Sequence, residues 1–293
     1  MPTFRRNTGG QVTGTIDLVQ GNTLRLKIDG VVKGGKADHY QIRSSSPLIT
    51  VTQSPNERQR EQTITLKVSE TGTAQLITIS AHSLNNNSVG ASFRINILPK
   101  LVLPDFASEI GIVTHLLLAE SITPNMVNYG DGSEALRAME LMREVLDNRL
   151  SAANSSDLLR SYVACNPTTN DMRGIVRANV CGRAPASQFE GFDGVRSSPA
   201  ADQLKVINAV LAQANDGSHN LFEKARAHVE RAIQIASLPS RTQAITESSL
   251  VYWRTTSTGA PSSHAKEQKV LAGQTFFSLS SNFLKNPQNP GKT

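Results

Sequence analysis

Few side chains in this sequence are typed and spaced for chemistry, and Glu120 leads them. It closes the run "HLLLAESITPN" that begins at His115. On a helix it falls seven residues after Val113 and beside Leu116 and Leu117, so an apolar wall and a carboxyl share one side. Desolvation there disfavours the ionised form and raises the pKa, the property a general acid needs at neutral pH. Pro124 limits the helix just beyond, which puts Glu120 at a helix end where a cleft can open. The alternative is a carboxylate that turns out to water at that end.

Asp131, in "YGDGS", is the candidate second acid, although its three-residue spacing to Glu134 equally suits a capping box. Gln188 can both donate and accept hydrogen bonds, as the acetamido and hydroxyl groups of a sugar require. Phe189 adjoins it. Tyr252 and Trp253, the single tryptophan, could offer a sugar face an apolar platform or could anchor a core. Asn148 could support the glutamate or end its own helix, and His264, in "SSHA", is a cleft or surface histidine. Glu190 and Asp193 read as solvated loop residues, and His39 and His82 as isolated strand or loop residues.

Cys165 and Cys181 are the only cysteines, too few for a disulfide scaffold and without the close pairs of a zinc knuckle. No metal and no cofactor is expected. A bridge between them would close a loop of about 15 residues and contribute about 3 kcal/mol in an oxidising compartment; two buried thiols is the other reading.

The elements that must carry these residues change period along the chain. From Gly10 to about Leu98, "TLRLKID", "PLITVTQ", "QTITLKVSE", "QLITISA" and "SFRINIL" alternate apolar and polar residues, and turn-forming stretches lie between them. This predicts an immunoglobulin-like β-sandwich over residues 1–100. "LPKLVLP" at 98–104 marks a boundary because its prolines stiffen a connector. Beyond it, Phe106, Ile110, Val113 and Leu117, then Leu136, Met139, Met142, Leu146 and Leu150, recur at helical steps. "ADQLKVINAVLAQAN" and "LFEKARAHVERAIQIAS" add two helices, while "ESSLVYWRTT" and "QTFFSL" are strand-like. Residues 105–293 are therefore expected to form a mainly α-helical domain.

The order of "LLLAES", "YGDGSEA", "LDNRL", "SQFEGF", "ITESSLVYW", "SSHA" and "GQTFF" resembles the cell-wall hydrolases of the spore-cortex-lytic type over about residues 105–280. Those proteins are similar to goose-type lysozymes and lytic transglycosylases, so the resemblance implies a lysozyme-like fold. It also implies that Glu120, paired with Ala119, is the catalytic acid. Val145, Leu146, Asn148 and Arg149 match its second-helix signature, and Gln188 with Phe189 its "QF" pair. The sequence departs from that pattern in having "SITPN" where a further acidic residue usually follows, and in an insertion containing Cys165. The implied reaction is cleavage of peptidoglycan glycan strands, as a muramidase or as a transglycosylase in which the 6-hydroxyl of N-acetylmuramic acid attacks internally.

Composition bounds the partners. The formal charge of +6 and sequence pI of 9.5 favour an anionic partner. Aromatics at 5% and scattered cations argue against nucleic acid, and no stretch suits a membrane span. The start "MPTFRRNTGG" has no apolar h-region, so no ordinary secretion signal is expected. That suits an antibacterial toxin delivered by a contact-dependent (type VI) secretion system to a target periplasm, with an immunity protein and the secretion machinery as partners. Two rivals stand: a peptidoglycan cysteine amidase or peptidase pairing Cys165 or Cys181 with His264, and a non-enzymatic wall-binding or phage structural protein.

Overall fold

The computed structural model describes residues 2–6, 9–29, 32–33, 36–37, 39–54, 62–85, 87–155, 159–160, 162, 170–178, 189, 192–193 and 198–286. The chain divides into two compact units, one of Met1–Leu101 with Asn215–Phe222, the other of Val102–Ala214 with Glu223–Thr293.

Alternation makes the strands of the first unit. They are β1 (Thr3–Arg6), β2 (Thr15–Val19), β3 (Thr23–Asp29), β4 (Val32–Lys33), β5 (Lys36–Ala37), β6 (Tyr40–Ser44), β7 (Ile49–Ser54), β8 (Gln62–Val68), β9 (Gln75–Ser83) and β10 (Val89–Leu98). In β3, Leu24, Leu26 and Ile28 are buried while Arg25 faces water. Ile64, Leu66 and Val68 of β8 do the same opposite Ile77, Ile79, Phe93, Ile95 and Ile97 of β9 and β10. One core results, drawn from a sheet of order β1-β3-β8-β7 and a sheet of order β2-β10-β9-β6. Every neighbouring pair in these two sheets is antiparallel except β2 and β10, which run parallel. The segment Asn215–Phe222 is fastened to this unit by polar contacts. Asn215 exchanges two hydrogen bonds with the backbone of Leu101, at 2.7 and 2.9 Å, and Asn22 bonds the backbones of Asn215 and Gly217.

The second unit holds α1 (Glu109–Glu120), a 3-10 turn (Val127–Tyr129), α2 (Ser133–Ser155), α3 (Met172–Arg177), the strand pair β11 (Phe192–Asp193) and β12 (Ser198–Pro199), α4 (Ala201–Ala214) and α5 (Phe222–Ala236, of which Phe222 belongs to the first unit). It ends with β13 (Leu250–Thr255), β14 (Ala265–Leu271), β15 (Gln274–Leu279) and α6 (Ser281–Lys285). The last three strands form an antiparallel sheet of order β13-β15-β14.

This corrects the expected fold class. The structure is about 36% helix and 31% strand, with several sheets and, among the described residues, six named helices, and does not divide into an immunoglobulin-like domain followed by a mainly helical one. Helical periodicity between residues 106 and 150 is strong enough to colour a reading of everything after it. The aromatic and β-branched runs at 250–255 and 274–279 are short, and their pairing brings together residues from Thr255 and Gln274 out to Leu250 and Ser278, beyond any local window.

α1 is a core helix rather than a surface one. Ile112, Val113, Leu116, Leu117 and Leu118 are all buried, and the helix packs against α2, α3 and α4. Ser108 caps its start by accepting from Gly111 N, while its own hydroxyl donates to Asp105 O at 2.6 Å.

Candidate active site around Glu120

Glu120 is the last residue of α1 and is half-buried. Its backbone carbonyl, one of the four that a helix end leaves without an internal partner, accepts from Gln274 Nε2 on β15 at 3.0 Å. Ser121 then turns the chain into an extended conformation (φ −86°, ψ 153°), its N–H still donating to Leu117 O. The buried Ser121 Oγ lies 3.3 Å from Nε2 of His228 on α5, and Nδ1 of the same ring lies 3.3 Å from the Tyr129 hydroxyl. The Tyr129 and His228 rings meet edge to face at 5.5 Å.

Burial sets the charge of this group. Desolvation pushes the His228 pKa down to about 4, so the ring is neutral at physiological pH, with one nitrogen donating and the other accepting. Burial, and then the charge of Asp131, push the Tyr129 hydroxyl up to about 12. Between pH 6.5 and about 4 an unfolded chain takes up a proton at this histidine while the folded chain refuses it. Folding stability attributable to His228 is therefore complete above about pH 6.5 and is lost as pH falls toward 4, by about 3 kcal/mol. Urea midpoints of wild type and His228→Gln are expected to diverge across that window, the variant having the flatter profile; parallel profiles would refute the assignment.

Asp131 is fully exposed and accepts from the backbone N and hydroxyl of Ser133, at 2.9 and 2.8 Å. Those bonds, chiefly the backbone one, hold its carboxyl below the usual range, so it is an ionised turn residue at the entry to α2. Two glycines make the turn, Gly130 and Gly132, both at positive φ. A Cβ on Gly132 would also lie 2.7 Å from the Tyr129 ring, so that ring lies against the turn.

The structure spends the second-helix signature on framework. Asn148 is wholly buried, donates from Nδ2 to Leu250 O at 2.7 Å and accepts from Gln243 Nε2. It does not end α2, which continues to Ser155, and its side chain is committed to these two partners. Arg149 Nε donates to Val251 O at 2.6 Å, and its guanidinium lies over the rings of Phe189 (5.0 Å) and Tyr252 (5.1 Å). Burial draws its pKa down to about 10, leaving it charged at neutral pH. Nearly two turns earlier, Arg143 donates to the carbonyls of Ala236 and Leu238 and pairs with Asp147, which accepts from Arg241 N. These side chains of α2 therefore satisfy the backbone of residues 236–251, which is mostly without regular structure. Asn148→Ala leaves the Leu250 carbonyl orphaned and is expected to cost about 2 kcal/mol. An unchanged denaturation midpoint with weakened ligand binding would restore a binding role.

The aromatic candidates are likewise drawn inward. Trp253 is 8% exposed and stacks on Phe189 at 4.8 Å, so its face is not an open platform. The Tyr252 ring carries Arg149, and its hydroxyl donates to Tyr162 O. His264 stacks on Phe283 at 5.1 Å, edge-on to Tyr162. Gln188, Glu190, Cys165 and Cys181 lie outside the described residues.

Gln274, Ser121, Tyr129 and His228 were not singled out by sequence. The signal for His228 is its place on the apolar stripe of α5, among Ala225, Val229, Ala232 and Ile235, all buried. Among the described residues, no group of three or more His, Cys, Asp or Glu side chains could hold a metal ion. None of their helices is long and apolar enough to cross a membrane.

No protein-family model matches the chain, and no curated protein matches it. Among solved structures it is similar to the NK cell receptor Nkp44, at TM-score 0.22 and 15% identity over 30% of this chain and 98% of that chain. The titin M10–obscurin like 1 Ig complex gives TM-score 0.19 and 16% identity over 34% and 97%. A GH5 xyloglucanase of Bacteroides ovatus gives 0.23 and 13% over 69% and 41%. Likenesses this slight establish neither fold nor activity.

Proposed function

We propose that this chain cleaves the glycan strands of peptidoglycan with Glu120 as the general acid and base. The observation that supports this most is the setting of Glu120. A half-buried carboxyl ends a helix whose interior is apolar, and its backbone is tied to β15 by Gln274. Catalytic groups carried on such rigid elements keep their geometry.

In the reaction Glu120 donates its proton to the glycosidic oxygen as the bond from that oxygen to the muramyl C1 breaks, leaving an oxocarbenium-like centre. The carboxylate so formed then accepts the proton of the attacking hydroxyl, whose oxygen bonds to C1. If water attacks, the product is a reducing end. If the 6-hydroxyl of the same N-acetylmuramic acid attacks, it is a 1,6-anhydro sugar. The second route needs no second carboxylate, and it suits a site in which Asp131 is committed to Ser133. Asp131 stays, in this reading, an ionised group that could steady positive charge at C1.

Mass spectrometry of purified sacculi after incubation separates the outcomes. Anhydro-muropeptides are expected. New reducing ends would mean hydrolysis at the same bond, cut stem peptides would replace this reading with an amidase, and binding without release would replace it with a wall-binding protein. The substrate lies outside the cytoplasm, so growth arrest is expected only when the chain is directed to the periplasm, where an immunity protein would have to act.

A further inference from the structure

We propose that His228, acting with Ser121 and Tyr129, is a positioning residue for Glu120, fixing the direction in which its carboxyl leaves the end of α1. This rests on the reading of Glu120 as the acid.

Helix ends fray because their last carbonyls lack internal partners. A catalytic carboxyl on the final residue needs that end held to within about half an ångström. Two clamps meet here from different elements. Gln274 takes the carbonyl of Glu120, and His228 takes the side chain of the next residue, Ser121, across 107 positions of sequence. His228 has no exposed surface, so it cannot reach a polymer substrate and can influence the site only through what it touches.

An apolar residue would pack on that stripe of α5 at lower cost, as Val229 and Ala232 do beside it. A neutral imidazole adds a donor at one end and an acceptor at the other, spanning the gap between the two hydroxyls. Tyr129 is itself fixed, since its ring lies against Gly132, where any Cβ would collide. The contacts thus run unbroken from the turn before α2, through the ring of α5, to the residue beside the carboxyl.

The test uses the full chain labelled with ¹³C at glutamate carboxyls, the Glu120 Cδ resonance being assigned by its absence in Glu120→Gln. Ser121→Ala and His228→Leu are expected to displace that resonance at pH 7. They should also lower kcat on sacculi about tenfold with KM little changed. His228→Gln keeps a donor and an acceptor and should recover most of both. Ser121→Ala, a small deletion, carries the test if His228→Leu does not fold. Folded variants with the wild-type Glu120 resonance overturn the proposal, whatever their kcat. A displaced resonance in a protein that releases nothing from sacculi upholds the positioning and ends the glycan-cleaving reading.

Discussion

Glu120→Gln is expected to reduce release of soluble muropeptides by about a hundredfold to ten-thousandfold, the range that a positioned proton donor contributes. Glutamine has the size of glutamate and keeps the Cγ packing and the main-chain carbonyl that receives Gln274, so the circular dichroism spectrum should not change. The side chain loses only its transferable proton. Binding to sacculi should survive, making this a loss in kcat and not in KM. Substitution of Asp131 by Asn is the companion measurement, because an exposed turn residue should cost much less activity than the acid. Lysis by Glu120→Gln at the wild-type rate would remove the carboxyl from the mechanism.

The second large effect is predicted far from the carboxyl, at Gly111. Replacing a helical glycine by alanine ordinarily stabilises a protein by about 0.4 to 1 kcal/mol. Here the sign should reverse. A Cβ on Gly111 would lie 1.8 Å from the carbonyl oxygen of Asp105 and 2.4 Å from its carbon, both backbone atoms that no rotamer change can move. The chain at Pro104–Asp105 presses against the first turn of α1 and is bound there by the Ser108 hydroxyl. Gly111→Ala must separate these, losing the cap as well as the contact, at a combined cost of about 3 kcal/mol or more. Nine residues separate Gly111 from Glu120, about 13 Å along the helix. A displaced first turn should therefore loosen the whole helix that carries the acid. A Gly111→Ala protein as stable as wild type in urea would mean that the approach of Asp105 is not as described.

The elements were legible where the cause is local. Leu24, Leu26 and Ile28 alternate with charged residues, and β3 follows. Pro124 and the polar "SITPN" end an apolar run, and α1 stops at Glu120. The turn chemistry of "YGDGS" was readable too, and Asp131 serves as a turn residue because an aspartate bonds the backbone two positions on wherever the chain allows.

The destinations of the polar and aromatic side chains were not. Asn148 and Arg149 carry hydrogen-bonding power whose destination the sequence leaves open. In the folded chain the carbonyls of Leu250 and Val251 take it, because that stretch enters β13 over α2 with backbone groups needing partners. Tyr252 and Trp253 read either as a platform or as core anchors, and Trp253 stacks on Phe189, because two large rings gain more by stacking on each other out of water than by waiting for a sugar. The mixture of sheet and helix in the second unit escaped a reading of mainly helical structure for a related reason. β13 and β15 lie in runs that read as strand-like, but the pairing that makes a sheet of them with β14 joins segments that no local period connects.

By itself, then, the sequence determined the alternating strands before residue 99, the helical periods after residue 105, and a glutamate at the end of an apolar helix, since these depend on side chains within a turn or two of one another. Tertiary structure alone decided that Gln274 and His228 would meet that helix end and that the polar side of α2 would hold backbone. It decided too that residues 215–222 would join the first unit. Those pairings join residues about a hundred or more positions apart, where free energy is gained only once the intervening chain has been ordered.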